Sequence, residues 1–547
     1  MMDVDSELSA CPFPGLRPFD SSESHLFFGR DGQSDQLIER LKRTRFLTVV
    51  GTSGSGKSSL IWAGLLPALH AGFMPGAGSL WRVAIMHPGS NPVGSLASAL
   101  TEREVLNIAR NEDQSVRLAI VDAALRRGRR GLVEIAKQSL MQTQTHENLL
   151  IVVDEFETLF RFQAISLGGS SQEEAADFVK LLLEASRQSE IPIYVVLVLR
   201  SDYIGDCSVF WGLPEAINNG LFSIPRMNRD QLRAAVTGPV AVAWANITPR
   251  LVNRLLNDVG DNQDQLPVFQ HLLMRSWHEW KEKRLVVELP NGEGRPHREV
   301  HQGDAIDSCC AEAVGGMAEA LSRHADEAYF ELPDDSHREV AANLFKALIE
   351  KGTDNREIPR PITLGALTSI TGARQSEVIT VIEAFRQPGR AFLMPPAPIA
   401  LNSESLVDIS HESLIRGWPP LKEWVDEEAR SARIYRRLAE TAVLYTEDRA
   451  GLWRDPDLQI ALTWRGQTRP NEAWARRYHP EFNAAMEFLD QSVKARDAEV
   501  FSSEQRQLLD VKSQVLDIKR SRRISVLMFI LFLLALGAFI LAYTKSI

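Results

Sequence analysis

Residues Gly51-Thr-Ser-Gly-Ser-Gly-Lys-Ser58 have the spacing G-x-x-x-x-G-K-S, and Ser59 follows directly. Glycines at 51, 54 and 56 let a backbone turn tightly and aim its N–H groups at phosphate oxygens. Gly51, Thr52, Ser53, Gly54, Ser55, Gly56, Lys57, Ser58 and Ser59 are therefore candidate nucleotide contacts. Lys57 would reach the β- and γ-phosphates, and the Ser58 hydroxyl would hold Mg²⁺. The apolar run Phe46–Val50 before the loop reads as a buried strand, and Leu60–Leu69 after it as a helix. That strand–loop–helix order is the context such a loop requires, and the N-terminus of the helix adds partial positive charge.

A phosphate loop also needs a carboxylate on a nearby strand. Asn148-Leu-Leu-Ile-Val-Val-Asp-Glu-Phe-Glu157 supplies one, because five apolar residues lead into Asp154. Asp154 would sit at the C-terminal edge of a strand, where nucleotides bind in open α/β sheets, and would orient Mg²⁺ through water. Glu155 is the first candidate for general base or water-positioner, and Glu157 is the second. The next strand ends Val198-Leu-Arg-Ser-Asp202. Arg200 at its tip would either sense the γ-phosphate, whose oxygens a guanidinium fits in a bidentate manner, or form a surface ion pair. The guanine-reading motif N-K-x-D is absent, which favours ATP over GTP.

These residues must be carried by elements that bring them together. Strands are expected at Phe46–Val50, Arg82–Met86, Leu149–Asp154 and Tyr194–Leu199. Helices are expected at Gly32–Arg43, Val93–Ala109, Ser115–Arg127 and Glu173–Gln188. The alternation predicts an α/β domain with a parallel sheet. Helix-period residues follow at Asp230–Thr237, Pro249–Val259 and Leu266–Arg284, broken by the polar stretch Pro290–His301. Ser336–Leu401 reads as helix, turn, helix and strand, the order of a small winged helix. Glu412–Arg465 is helical and tryptophan-rich. Glu481–Ile518 is a long charged helix with Phe501, Leu508 and Val515 at seven-residue spacing and Val511 and Ile518 between, so it forms either a short coiled coil or a solvated stalk.

The chain has 547 residues, enough for about three or four domains. A formal charge of −10 argues against nucleic acid as a general partner. Cys11, Cys207, Cys309 and Cys310 lack C-x-x-C spacing, which fits a reducing compartment and no zinc site. The acidic start Met1–Glu7 is not a signal peptide. Residues 524–543 are apolar and uncharged, about the length that crosses a bilayer as a helix. Lys519, Arg520, Arg522 and Arg523 precede them, so the large N-terminal part is expected on the cytoplasmic side of a single-pass anchor. Ala538 and Ala542 have the small-xxx-small spacing of helix association.

Pro12-Phe-Pro-Gly-Leu-Arg-Pro-Phe19, Phe27-Phe-Gly-Arg-Asp31 and the phosphate loop, in this order, resemble the STAND NTPases and more narrowly the bacterial novel STAND NTPase 1 subgroup. The resemblance continues through Arg200-Ser-Asp-Tyr203, Ile224-Pro-Arg-Met-Asn-Arg-Asp-Gln-Leu232, Gly238-Pro239, Leu266-Pro-Val-Phe-Gln-His271 and Asp408-Ile-Ser-His-Glu-Ser-Leu-Ile-Arg-Gly-Trp418. It implies an α/β P-loop NTPase with an AAA+-like parallel sheet, followed by helical and winged-helix domains, working as an ATP/ADP switch. It places Gly29 and Arg30 by the adenine, Pro239 near the base and His411 on the ADP β-phosphate. Without the resemblance, His411 reads as a helix-start or core histidine. Many relatives have Gln after the strand-end Asp. Glu155 in that position favours hydrolytic competence.

The organisation expected is a lead-in over 1–25, the nucleotide-binding domain over 26–227, a helical lid over 228–333 and the winged helix over 334–418. A helical region over 419–480, a stalk over 481–523 and a transmembrane helix over 524–543 follow. The functional expectation is a slowly hydrolysing, self-associating signalling switch of the bacterial inner membrane, with separate sensor or effector proteins as partners. An AAA+-like remodelling ATPase and a nucleotide-stabilised scaffold are the alternatives. His297 and His301 have a metal-compatible spacing but lie in a polar stretch that reads as a solvated loop. Arg126, Arg127, Arg129 and Arg130 read as a solvated helix end. Tryptophans 277, 280, 418, 424, 453, 464 and 474 read as packing anchors.

Overall fold

The computed structural model describes residues 11–89, 91–102, 105–106, 108, 113–140, 147–160, 170–260, 265–287, 305–351 and 357–545. The histidines at 297 and 301 fall outside them. The chain divides into two compact units. The first runs to Leu364 and resumes over Gln375–Glu423, and the second comprises Gly365–Arg374 and Trp424 onward.

The first unit is built on a parallel five-stranded sheet of β1 (Phe46–Gly51), β2 (Trp81–Met86), β3 (Asn148–Val153), β4 (Ile193–Arg200) and β5 (Leu221–Ser223), in the order β2-β3-β4-β1-β5. Strand residues alternate between two cores. Leu47, Val49, Leu150, Val152, Val196 and Val198 pack with Leu37, Leu41, Leu60 and Leu69 from helices on one face. Val50, Ile151, Val153, Leu197 and Leu199 pack on the other face with Leu96, Leu132, Phe178 and Leu182. Cover on both faces explains why the four longer strands are near-continuous apolar runs that the sequence reveals. β5 has three residues, only Phe222 buried, and carries no such run. The register sets Gly51 beside Arg200 and Val153 beside Leu197. One edge of the sheet thus collects the phosphate loop, Asp154 and Arg200.

Several helices differ from expectation. The one after the phosphate loop starts at Lys57 and takes a π turn over Leu60–Leu65 before continuing as Leu66–His70. The helix expected to reach Ala109 ends at Leu100. An additional helix covers Gly131–Leu140.

Five helices between Arg229 and Phe330 share a core with Phe13 of the lead-in. Helices Asp335–Leu348 and Gln375–Arg386 then pack with a small antiparallel sheet ordered Ile362–Thr363, Leu406–Ile409, Leu393–Met394. Trp418 is fully buried here, its ring 5.4 Å from Phe345 and 5.8 Å from Phe385, and its Nε1 donates to Asp326 at 2.8 Å.

In the second unit, Tyr435, Trp464, Trp474 and Phe488 form the core. The buried Glu428 carboxylate accepts from Trp474 Nε1 at 2.7 Å and Tyr478 Oη at 2.6 Å. Asn471 Nδ2 donates to the carbonyls of Ser369 and Ile370. The expected stalk and apolar segment are one helix, Phe482–Lys545, of 64 residues. It contains a stretch long and apolar enough to cross a membrane.

A buried histidine pair ties the middle of the first unit together. His271 Nε2 and His324 Nδ1 lie 3.2 Å apart, and both rings lie within 6 Å of Phe392. Burial depresses His271 to about 3 and His324 to about 2, helped by the Arg275 charge. An unfolded histidine titrates near 6.5, so the folded form binds fewer protons below that pH. The stability that depends on neutral imidazoles is full above about pH 7.5 and is lost as pH falls through 6.5, by about 1–3 kcal/mol per pH unit for two groups. Thermal midpoints should drop steeply between pH 6.5 and 5, and the slope should be shallower in His324→Gln. Equal slopes in both proteins would remove the pair from this role.

Candidate functional site

The phosphate loop leaves β1 at Gly51, whose position is dictated by space: a Cβ there would meet Ser55 Oγ at 2.5 Å. Gly54 and Gly56 have φ of 74° and 85°, the left-handed region that glycine enters without strain. Ser55 is buried and its hydroxyl donates to the Thr52 carbonyl at 2.9 Å, closing the turn. Lys57 folds back, its Nζ donating to the carbonyls of Thr52 at 2.8 Å and Gly51 at 3.3 Å. Burial lowers its pKa, while the carboxylates of Glu157 and Asp154 oppose the shift. Ser53 and Ser58 are half-buried in the same turn. Ser59, the last loop candidate, accepts a hydrogen bond on Oγ from the Phe19 N–H at 3.2 Å.

Asp154 is buried where β3 ends, and its backbone N–H donates to the Met86 carbonyl of β2. Its Oδ1 accepts from the Glu155 N–H at 2.9 Å. The two glutamates diverge from there. Glu155 is exposed and takes φ of 50°, a conformation that costs a non-glycine residue about 1 kcal/mol or more. Glu157 is buried, and its Oε2 accepts from the Arg200 N–H at 3.3 Å. The first carboxylate is thus held in a strained turn at the strand tip, and the second is built into the strand edge.

Arg200 does not end in solvent. Its Nε and NH2 donate to the Asp202 carboxylate at 3.2 and 2.8 Å, and its NH1 donates to Glu412. Burial works against its charge, but the Asp202 hydrogen bonds and the Glu412 carboxylate outweigh it and hold the pKa above its ordinary value. Glu412 follows the strand Leu406–Ile409 of the small antiparallel sheet, so the pair joins that sheet's module to β4. His411 precedes it. Its Nδ1 accepts from the Ser413 N–H at 3.0 Å, which leaves Nε2 to carry the proton of the neutral ring. Burial pushes His411 down to about 4, with the charges of Lys57 and Arg200 acting in the same direction. His411 therefore lies within electrostatic reach of the phosphate loop from 354 residues away in sequence.

Arg30 is buried and its guanidinium spans two backbone carbonyls, Ser55 of the phosphate loop at 2.8 Å and Pro225 after β5 at 2.7 Å. Burial lowers its pKa to about 10. Gly29, at φ of 85°, touches the helix Arg229–Val242: a Cβ would meet the Gln231 carbonyl oxygen at 2.4 Å. Gly238 in that helix leaves room for the Phe28 ring, which a Cβ would strike at 2.4 Å. Pro239 is buried beside it. Gly29, Arg30 and Pro239 thus belong to one junction between the sheet domain and the helices that follow.

The donor set suits Mg²⁺, a hard cation that prefers oxygen: the Ser58 hydroxyl and the Asp154 carboxylate. Among the described residues no three His, Cys, Asp or Glu side chains cluster as a metal cage. Glu412 escaped the sequence reading. A carboxylate 212 residues from its arginine has no periodicity or spacing that betrays it, and it stood only as an unassigned member of the Asp408–Trp418 motif, next to His411.

The sequence model of the family described as novel STAND NTPase 1 matches residues 12–451. No curated protein matches the chain. Among solved structures the chain is similar to the ORC2 protein of Aeropyrum pernix in its ADPNP–ADP complexes, at 13% identity over 74% of this chain and 94% of that one, TM-score 0.38. It is also similar to Drosophila ORC bound to DNA, at 11% identity over 72% and 86%, TM-score 0.32. A third likeness is to the Walker-type ATPase PABY2304 of Pyrococcus abyssi, at 11% identity over 74% and 98%, TM-score 0.32.

Proposed function

Because the chain belongs to the novel STAND NTPase 1 family, we propose that it is a membrane-anchored nucleotide switch, closed with ADP and released by ATP. In this reading residues 26–227 bind ATP or ADP with Mg²⁺, residues 228–333 form the lid and residues 334–418 a winged helix that senses the phosphates. Lys57 and the loop amides bind the phosphate chain, Ser58 and Asp154 hold Mg²⁺, and His411 Nε2 donates to the β-phosphate. Glu155 positions the attacking water, and Glu157 positions Arg200. Gly29, Arg30 and Pro239 shape the base pocket. Hydrolysis is slow and resets the switch. The apolar part of helix Phe482–Lys545 anchors the protein in the bacterial inner membrane, with its N-terminal bulk cytoplasmic. The ATP form self-assembles and engages separate sensor or effector proteins.

The observation that carries this reading is the Arg200–Glu412 ion pair beside His411. In this reading the arginine at the tip of β4 meets a γ-phosphate when ATP is bound, and here a carboxylate from the small antiparallel module pairs with it. A γ-phosphate would compete with Glu412 for the same donors, so ATP would favour the state in which that module has let go. A ligand moves such an equilibrium only by its difference in affinity for the two states.

The test is Glu412→Gln. Breaking a largely buried ion pair should weaken the closed state by about 2 kcal/mol, roughly thirtyfold. ADP should then dissociate faster, and mass photometry should show assemblies at lower ATP. Unchanged ADP release and an unchanged assembly threshold would sink the latch.

A further inference from the structure

The helix Phe482–Lys545 carries an apolar stripe that its own chain leaves uncovered. Phe501, Leu508, Val511, Val515 and Ile518 are 45–67% exposed, and Leu509 and Leu516 widen the stripe on one side. Lone surface apolar residues need no explanation, but seven on one helix face do. From Leu508 to Ile518 they follow the alternating three- and four-residue steps of a coiled-coil seam, with Phe501 one heptad upstream.

Two kinds of surface could cover the stripe, a lipid headgroup layer or another helix. The helix itself decides between them. Neither glycine nor proline occurs from Phe482 to Leu536, and the helix is continuous into its apolar segment. Sharp kinks need such residues or a local insertion in the ladder. A segment collinear with a membrane-crossing helix stands off the surface, and residues 482–523 extend about 60 Å from it. Its apolar face cannot lie among headgroups.

We propose that this stripe pairs with the same stripe of a second copy, in parallel and in register, as a coiled coil seated on the membrane. The flanking residues suit that orientation. With Leu508 and Val515 at the first core position of each heptad, the parallel cross-strand partners are Gln507 with Lys512 and Gln514 with Lys519. A neutral amide faces an ammonium in each pair. The antiparallel arrangement instead sets lysine against lysine. The seam is short, about 27 Å over residues 501–518, so it is weak in isolation and needs anchoring to raise its effective concentration. It then adds to assembly driven elsewhere in the chain. The inference rests on the membrane-anchored reading given above.

Oxidative cross-linking of the full-length chain in membranes tests it, in a Cys309→Ser background. Leu508→Cys and Val515→Cys should give covalent dimers at least tenfold more readily than Asp510→Cys and Asp517→Cys on the opposite face. Equal cross-linking on both faces, or none on either, overturns the pairing and leaves a solvated stalk. Carbonate extraction reports the anchor separately. Protein washed from the membrane removes the anchored reading, whereas retained protein without stripe-specific dimers removes the pairing alone. As a second measurement, Leu508→Asp with Val515→Asp should raise the ATP concentration needed for assembly severalfold while nucleotide affinity stays unchanged.

Discussion

A Glu155→Gln protein is expected to retain ATP and lose hydrolysis by a factor of about 10²–10⁴, the usual contribution of a positioned general base. The amide keeps the size and the strained backbone of Glu155 but cannot accept a proton from water. Glu157→Gln should behave differently. Its carboxylate accepts from the Arg200 N–H inside the strand edge, so the change should loosen Arg200 and lower stability, with a smaller loss of turnover. Glu155→Gly separates backbone from chemistry. It relieves a residue at φ of 50°, so the thermal midpoint should hold or rise while turnover still collapses. Single-turnover hydrolysis with quantified bound nucleotide reads all three. Normal turnover in Glu155→Gln with a dead Glu157→Gln would reverse the two assignments.

Lys57→Ala should cost at least a hundredfold in nucleotide affinity, about 3 kcal/mol, if the ammonium takes the charge-assisted role toward the β- and γ-phosphates proposed above. In the structure its Nζ bridges the Gly51 and Thr52 carbonyls, so the loop also loses a tie worth about 1 kcal/mol. The two effects are separable. The thermal midpoint without nucleotide should fall by a few degrees, and the rise on adding ATP or ADP should vanish. Arginine is not a conservative replacement, since a planar fork does not fit where a point charge threads the loop. Titration calorimetry giving wild-type affinity for Lys57→Ala would undo the assignment of the loop.

Much of the sheet domain was legible from sequence because its four longer strands are covered on both faces and must be apolar throughout. The phosphate loop and Asp154 were legible for a related reason: glycines in a tight turn and a carboxylate after a buried run have few other uses. β5 was missed because an edge strand with one buried residue carries little signal. The helix Gly131–Leu140 was missed because it follows a glycine and arginine cluster that reads as loop. The contact of Arg200 with Glu412 was invisible because it depends on tertiary closure across 212 residues. The stalk and the apolar segment were read as separate elements, since composition changes sharply at the basic cluster 519–523 while helical backbone does not.

Phe13 is packed with the helices that follow the sheet, Leu16 and Phe19 are buried, and the Phe19 N–H is bonded to Ser59 in the helix that begins at the phosphate loop. Tension entering the chain at Cys11 would therefore reach the helical core first, through Phe13, and then the helix that opens at the phosphate loop, through Phe19 and Ser59. The lead-in is in that sense a drawstring, one short thread that laces the helical core to the start of the phosphate-loop helix.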